Sequence, residues 1–216
     1  MSEATVGVIL AGGQSSRMGG EDKRFSILGG QPLFNHVLQR TQKQVDIVAI
    51  SANDKASRFS SYGLPLIEDV MGDQVGPLAG ILSSLLWARA NHPDCRTVAT
   101  FPVDSPFYPE DLVSKLTLNL RSTRTDIAIA RYKSQSSWLF GLWSVSLIGA
   151  LQHYLIDRQE RKVQVWVKNQ RYCDISFDDY TDDPFFNINT PAELDIAIRR
   201  WHGITGGNEI PKIEGP

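Results

Sequence analysis

Short apolar runs alternate with segments of helical periodicity along most of this chain. The first run, residues 6–10, is continuous and leads into a glycine pair, as is typical of a strand that is buried on both faces. Similar runs predict further strands at residues 45–52, 64–67, 97–103, 127–130 and 139–143. Strands that alternate with helices favour an α/β fold with a mostly parallel sheet.

The helical segments are marked by apolar residues that recur three and four positions apart. The clearest of them begins at Pro77 and carries Leu78, Ile81, Leu82 and Leu85 at this spacing. Other helices are predicted to start at Pro32 and at Pro109, and one is predicted to span residues 145–156. A last helix is predicted to follow a capping box at residues 190–193. Residues 162–168 favour neither a helix nor a strand.

One domain is expected to contain almost the whole chain. Its 216 residues fit one large domain, and no change of composition marks a boundary. We therefore predict a single domain over residues 1–202, with Trp138, Trp143 and Trp166 in its core. Residues 203–216 contain four glycines and two prolines without periodicity, and they are predicted to form a loose tail.

Composition and charge restrict the class of function. The 22 Lys and Arg residues are balanced by 24 Asp and Glu residues, so the basic excess typical of non-specific nucleic-acid binding is missing. The two cysteines and four histidines have no zinc-binding spacing. No signal peptide or membrane span is predicted. We expect a cytoplasmic protein that binds neither nucleic acid nor membranes, and an anionic small molecule is compatible with this composition.

The first strand leads into a loop that is rich in glycine and cations. Four glycines within residues 10–23 accompany Arg17 and Lys23. Glycine allows backbone N–H groups to approach a phosphate, and the two cations can neutralise its charge. The two common phosphate fingerprints do not match this spacing. The alternative is an ordinary strand-to-helix loop, but the cations favour a phosphate site.

A carboxylate follows the strand predicted at residues 97–103. Asp104 lies at the carboxyl end of that strand, where ligands bind in open α/β sheets. One carboxylate, with water and phosphate as the other ligands, is a common way to bind Mg²⁺. Asp104 is equally suited to a turn before Pro106. This motif alone favours neither interpretation.

Two further segments carry groups that suit a ligand. Asp69 ends a short strand, and Gly76 and Gly80 flank the start of the clearest helix, where backbone N–H groups can bind phosphate. Taken alone, this segment is explained better by simple helix initiation. Asn187 and Asn189 point to the same side if the chain is extended there. Asn189 alternatively supports the helix cap that follows it.

Together these motifs resemble the molybdenum cofactor guanylyltransferases of the MobA type, within the sugar-nucleotide and cytidylyl transferase superfamily. The patterns LAGG-x4-RMGG-x-DK, GPLAG and N-x-NTP-x-EL carry the resemblance, which runs from residue 6 to about residue 201. It implies a Rossmann-like nucleotide-diphospho-sugar-transferase fold, with a mostly parallel central sheet and helices on both faces. The implied activity transfers GMP from GTP to the terminal phosphate of molybdenum-molybdopterin, forming molybdopterin guanine dinucleotide and releasing pyrophosphate.

The resemblance also implies roles for individual residues. By motif position, the nucleotide-binding residues would be Leu10, Ala11, Gly12, Gly13, Lys23, Ser51, Asp69, Gly80 and Asp104. The catalytic residues would be Lys23, Asp104 and Arg17, and Asp104 would also bind the implied cofactor, Mg²⁺. Asn187 and Asn189 would lie on the pterin side. Ser51 stands where some family members have asparagine, and residues 137–138 (Ser-Trp) replace a frequent His-Pro pair.

Other functions are compatible with the same motifs. A molybdopterin cytidylyltransferase would differ only in a few contacts to the base. A non-catalytic GTP-binding accessory protein would have no need of both Lys23 and Asp104. The resemblance further implies contacts with other proteins of molybdenum cofactor biosynthesis and with recipient molybdoenzymes.

Overall fold

Strands and helices alternate in the computed structural model, which describes residues 4–12, 23–53, 58–71, 76–157 and 161–205. The strands of these residues are β1 (Val6–Leu10), β2 (Ile27–Leu28), β3 (Gln31–Pro32), β4 (Ile47–Ser51), β5 (Leu66–Ile67), β6 (Thr97–Pro102), β7 (Ile127–Tyr132), β8 (Gln135–Ser144) and β9 (Tyr172–Ser176). The helices are α1 (Leu33–Gln42), α2 (Pro77–Asn91), α3 (Leu112–Thr123), α4 (Ile148–Asp157), α5 (Val163–Val167) and α6 (Pro191–Thr205).

The described strands form a seven-stranded sheet in the order β5-β4-β1-β6-β8-β7-β9 and a small β2–β3 hairpin. In the large sheet, β1 pairs in parallel with both β4 and β6, and β9 pairs in parallel with β7. β8 is antiparallel to its neighbours β6 and β7. The sheet is therefore mostly parallel, as predicted, and the carboxyl ends of β1, β4, β5 and β6 lie at one edge.

Residues of each strand alternate between the two faces of the sheet. In β1, Val6 and Val8 pack among residues of α2, α4 and α5, whereas Ile9 packs with residues of α1 and α3. Trp143 and Trp166 are fully buried in the first of these clusters, which confirms the prediction that they are core residues. Helices thus cover both faces, and apolar burial on each face stabilises the arrangement.

The helix α6 and the β2–β3 hairpin form a smaller cluster of their own. Leu28 and Leu33 are buried there against Ile188 and Ala197. The predicted capping box is present: the Glu193 N–H donates to the Thr190 hydroxyl (3.2 Å), and the Thr190 N–H donates to the Glu193 carboxylate (2.8 Å).

Several boundaries differ from the prediction. Pro32 does not begin α1 but precedes it, because Pro32 pairs with Ile27 in the hairpin. The helix expected from Pro109 begins at Leu112 instead. The undecided segment at residues 162–168 contains the short helix α5.

The helix α6 continues to Thr205, so residues 203–205 are helical rather than part of a loose tail. Residues 206–216 lie outside the described chain. None of the helices within the described residues is long and apolar enough to cross a membrane.

Candidate active site at the carboxyl edge of the sheet

Backbone hydrogen bonds join the strand ends at which the sequence predicted ligand-binding residues. The Ala11 N–H donates to the Ser51 carbonyl (2.8 Å), just beyond the ends of β1 and β4. The Val103 N–H donates to the Leu10 carbonyl (3.3 Å), which places the residue that follows, Asp104, next to the end of β1. The parallel register thus brings the Leu10, Ser51 and Asp104 positions to adjacent strand ends.

Gly80, in the first turn of α2, lies against three other predicted nucleotide-binding residues. A methyl group in place of its hydrogen would lie 3.1 Å from the Ser51 Oγ, 3.6 Å from the Asp69 Oδ1 and 3.6 Å from the Leu10 Cδ2. Only a residue without a side chain fits this position without displacing a neighbour. Four segments that are distant in sequence therefore meet here: β1, β4, the residues after β5, and the start of α2.

Hydrogen bonds to Asn53 hold the Asp69 carboxylate in place. The Asn53 Nδ2 donates to the Asp69 Oδ2 (3.1 Å), and the Asp69 N–H donates to the Asn53 Oδ1 (2.9 Å). The next residue, Val70, donates its N–H to the Ser83 Oγ of α2 (3.0 Å). This segment is thereby fixed to both β4 and the helix, with Asp69 half-buried between them.

A second group of predicted site residues lies around Asp104. Asp104 is half-buried, and its backbone carbonyl accepts a hydrogen bond from the Ile188 N–H (2.8 Å). Ile188 is fully buried, whereas Asn187 is exposed and Asn189 is half-buried. The two asparagines predicted on the pterin side thus flank the residue that is bonded to Asp104. The Asn189 N–H also donates to the Glu193 carboxylate (2.8 Å), so Asn189 takes part in the helix cap through its backbone.

Packing and hydrogen bonds tie the loop after Asp104 to α1 and α6. The Arg200 guanidinium of α6 lies 4.4 Å from the centre of the Phe107 ring, and its burial lowers the pKa of Arg200. The Tyr108 hydroxyl donates to the Val37 carbonyl (2.9 Å), and burial raises the pKa of Tyr108 well above its usual value. These contacts give the Asp104 loop a defined position relative to α1 and α6.

Part of the predicted phosphate loop lies outside the described residues. Gly13 and Arg17 lie outside the described residues, as does the side chain of Lys23. The backbone of Lys23 begins a 3-10 turn at residues Lys23–Phe25. Gly12, two residues after the end of β1, is exposed.

A concave surface of about 520 Å³ lies away from this edge, between the β7–β8 hairpin, α5 and β9. Trp138 lines it, with one side against the core and the Lys168 ammonium 5.8 Å from its ring centre. The prediction that Trp138 is a core residue is therefore only partly right. Tyr172 and Asp174 of β9 also line it.

Asp104 could hold a hard divalent cation at this edge. Asp104 supplies a carboxylate oxygen, the type of ligand that Mg²⁺ prefers. Among the described residues, no group of three or more His, Cys, Asp and Glu side chains is arranged to hold a metal ion. Mg²⁺ bound at Asp104 would therefore take most of its other ligands from phosphate oxygens and water.

Comparison with known proteins identifies the family. The family described as MobA-like NTP transferase domain matches residues 7–171. The chain belongs to this family. It is 39% identical over 208 residues to a molybdenum cofactor guanylyltransferase of Mesorhizobium japonicum, covering 95% of this chain and all of that protein. It is 40% identical to a protein of the same name from Pasteurella multocida, covering 87% of this chain and 95% of that protein.

A solved structure has the same fold. Molybdopterin-guanine dinucleotide biosynthesis protein A from Archaeoglobus fulgidus superposes with a TM-score of 0.73 at 24% identity, covering 91% of this chain and 97% of that one. The predicted Rossmann-like nucleotidyltransferase fold is thus confirmed, and membership of the MobA-like family makes the protein a nucleotidyltransferase.

Substitution of Gly80 is expected to weaken nucleotide binding without loss of fold. In Gly80→Ala the new methyl group would displace the Ser51 hydroxyl by a few tenths of an ångström, so we expect GTP affinity to fall about tenfold, as for a lost hydrogen bond. Alanine is favoured over glycine in a helix by up to about 1 kcal/mol, which offsets strain in the free protein. Isothermal titration with GTP measures the effect.

The matched control is Gly149→Ala in α4, where no described atom lies within 4 Å of the new methyl group. It should bind GTP like the native protein. Equal GTP affinity in Gly80→Ala and Gly149→Ala would show that Gly80 does not border the nucleotide.

Proposed function

We propose that this protein transfers GMP from GTP to the terminal phosphate of molybdenum-molybdopterin, forming molybdopterin guanine dinucleotide and releasing pyrophosphate. The observation that carries the proposal is that Leu10, Ser51 and Asp69 lie around Gly80. This group is next to the end of β6, which Asp104 follows. The names of relatives that match almost the full chain point to the same reaction.

The nucleoside of GTP is assigned to the space over Gly80. A carboxylate accepts hydrogen bonds only, and guanine presents adjacent N–H donors on its Watson–Crick edge. Asp69, held by Asn53, is the carboxylate in this region that would accept them. Ser51 is almost fully buried, and its hydroxyl can donate or accept a further hydrogen bond. Leu10 supplies an apolar surface beside these groups.

The triphosphate is assigned to the glycine-rich loop between β1 and Lys23. Its N–H groups, together with Arg17 and Lys23, would offset the repulsion between two approaching polyanions. Asp104 would hold Mg²⁺, which would supply positive charge to neutralise the phosphates and the pyrophosphate leaving group. The acceptor phosphate is already ionised near neutral pH, so the protein needs no nucleophile of its own and no strong general base.

The acceptor is assigned to the side of Asp104 that faces Asn187 and Asn189. The hydrogen bond between Ile188 and Asp104 keeps this segment next to Asp104, the residue to which Mg²⁺ is assigned. Amide side chains at both positions can donate to and accept from a pterin ring. Proteins that supply molybdopterin or receive the product would dock around this open side.

The proposal is tested by thermal unfolding with GTP, CTP, UTP or ATP, each with and without Mg²⁺. A ligand at 100 times its dissociation constant adds about 2.7 kcal/mol, and a domain of this size gains about 2–4 °C per kcal/mol. We expect GTP with Mg²⁺ to raise the midpoint by about 5–10 °C, more than any other nucleotide. A larger rise with CTP would indicate a cytidylyltransferase, and no rise with any nucleotide would contradict the proposal.

A further inference from the structure

A buried arginine, Arg24, contacts the residue that precedes the glycine-rich loop. Only 5% of Arg24 is exposed, although it directly follows the glycine-rich segment in sequence. Its Nη1 donates to the Ala11 carbonyl (2.6 Å), and its guanidinium lies 5.7 Å from the centre of the Phe59 ring. Burial of a guanidinium is costly unless it forms hydrogen bonds, so a specific contact of this kind indicates a defined role.

The contact joins the two ends of the phosphate loop. Ala11 is the last residue before Gly12, and Arg24 directly follows Lys23. Both backbone polar groups of Ala11 are then held, since its N–H donates to the Ser51 carbonyl (2.8 Å) and its carbonyl accepts from Arg24. The 3-10 turn that begins at Lys23 is thereby fixed to the end of β1.

The same contact sets the direction of the next N–H group. No peptide bond of the described chain is cis. In the planar trans peptide between Ala11 and Gly12, the Gly12 N–H therefore points in the direction opposite to the Ala11 carbonyl. That carbonyl points to Arg24, which lies against Phe59 in the cluster on the α1 side of the sheet. The Gly12 N–H therefore points away from Arg24 and this cluster.

We propose that Arg24 is a positioning residue for nucleotide binding: through the Ala11 carbonyl it aims the Gly12 N–H at a phosphate of the nucleotide and holds the turn that carries Lys23. It does not itself touch the nucleotide. This inference rests on the proposed function only in requiring that a nucleoside triphosphate binds at this edge. It is independent of which base is chosen.

The test compares variants of the full chain by isothermal titration with GTP and Mg²⁺. Arg24→Met and Arg24→Gln both remove the bond, the first by loss of the donor and the second by loss of length. We expect each to bind GTP at least about tenfold more weakly, the effect of losing a hydrogen bond from a charged donor. Arg24→Lys keeps a cationic donor of similar reach and is expected to recover most of the affinity.

Phe59→Leu is the control for a merely structural role. It loosens the same cluster without removing the donor to Ala11. Its loss of thermal stability should resemble that of the Arg24 variants, whereas its GTP affinity should stay within about twofold of the native value. The inference is overturned if a folded Arg24→Met or Arg24→Gln variant binds GTP as tightly as Phe59→Leu does. If the native protein binds no nucleoside triphosphate, the proposed function fails instead.

Discussion

Replacement of Asp104 by alanine is expected to lower the rate of GMP transfer about a thousandfold while the protein stays folded. A metal ion that stabilises charge in the transition state contributes about 4 kcal/mol, and each 1.36 kcal/mol is about tenfold in rate. The fold should survive because Asp104 contacts Ile188 through its backbone carbonyl, which alanine retains. Pyrophosphate release in the presence of GTP, molybdenum-molybdopterin and Mg²⁺ measures the loss.

The matched control is Asp94→Ala. Asp94 is exposed and precedes β6, at the opposite end of the strand that Asp104 follows. Its loss removes the same charge from the protein without changing the carboxyl edge, so turnover should stay native. Comparable turnover in Asp104→Ala and Asp94→Ala would show that Asp104 does not bind the metal ion.

The largest effect on stability is expected for Gly29→Ala. Gly29 has a φ of 56°, and an added methyl group would lie 2.1 Å from the Trp201 Nε1. Trp201 is itself packed edge-on against His36, with 4.5 Å between the ring centres. The left-handed backbone and the overpacking each cost about 1–3 kcal/mol, so we expect a loss of about 3 kcal/mol and a midpoint about 6–12 °C lower.

Gly63→Ala separates the two contributions. Gly63 has a nearly equal φ of 64°, and within the described chain no atom lies within 4 Å of the methyl group that alanine would add. Only the backbone term remains, so the midpoint should fall by about 2–4 °C, the effect of about 1 kcal/mol. If Gly29→Ala were no less stable than Gly63→Ala, Trp201 would not pack against the hairpin as described.

The strands of the large sheet were largely predictable, because burial on both faces leaves continuous apolar runs. β1 was predicted at its observed bounds, and the prediction for β6 was one residue too long. The β2–β3 hairpin has two-residue strands, too short for any periodicity to mark them. β9 is an edge strand in which only Ile175 is buried, so it lacks the apolar pattern of the central strands.

The site was predictable where a motif coincided with a strand end. Leu10 and Asp104 could be placed at the carboxyl edge because Leu10 ends one recognisable apolar run and Asp104 directly follows another. The closeness of Gly80 to Ser51 depends on how α2 packs on the sheet, which periodicity does not determine. The role of Arg24 was missed because a charged side chain next to a glycine loop is expected at the surface. Its burial depends on tertiary packing, including the contact with Phe59, which the sequence pattern does not show.

The most direct test of the central claim follows the label from α-³²P-GTP into an acid-stable product formed with molybdenum-molybdopterin, with α-³²P-CTP as the competing donor. The account predicts transfer of labelled GMP to the acceptor, equimolar release of pyrophosphate and dependence on Mg²⁺, with little transfer from CTP. Preferential transfer of CMP, or GTP binding without any transfer, would contradict it.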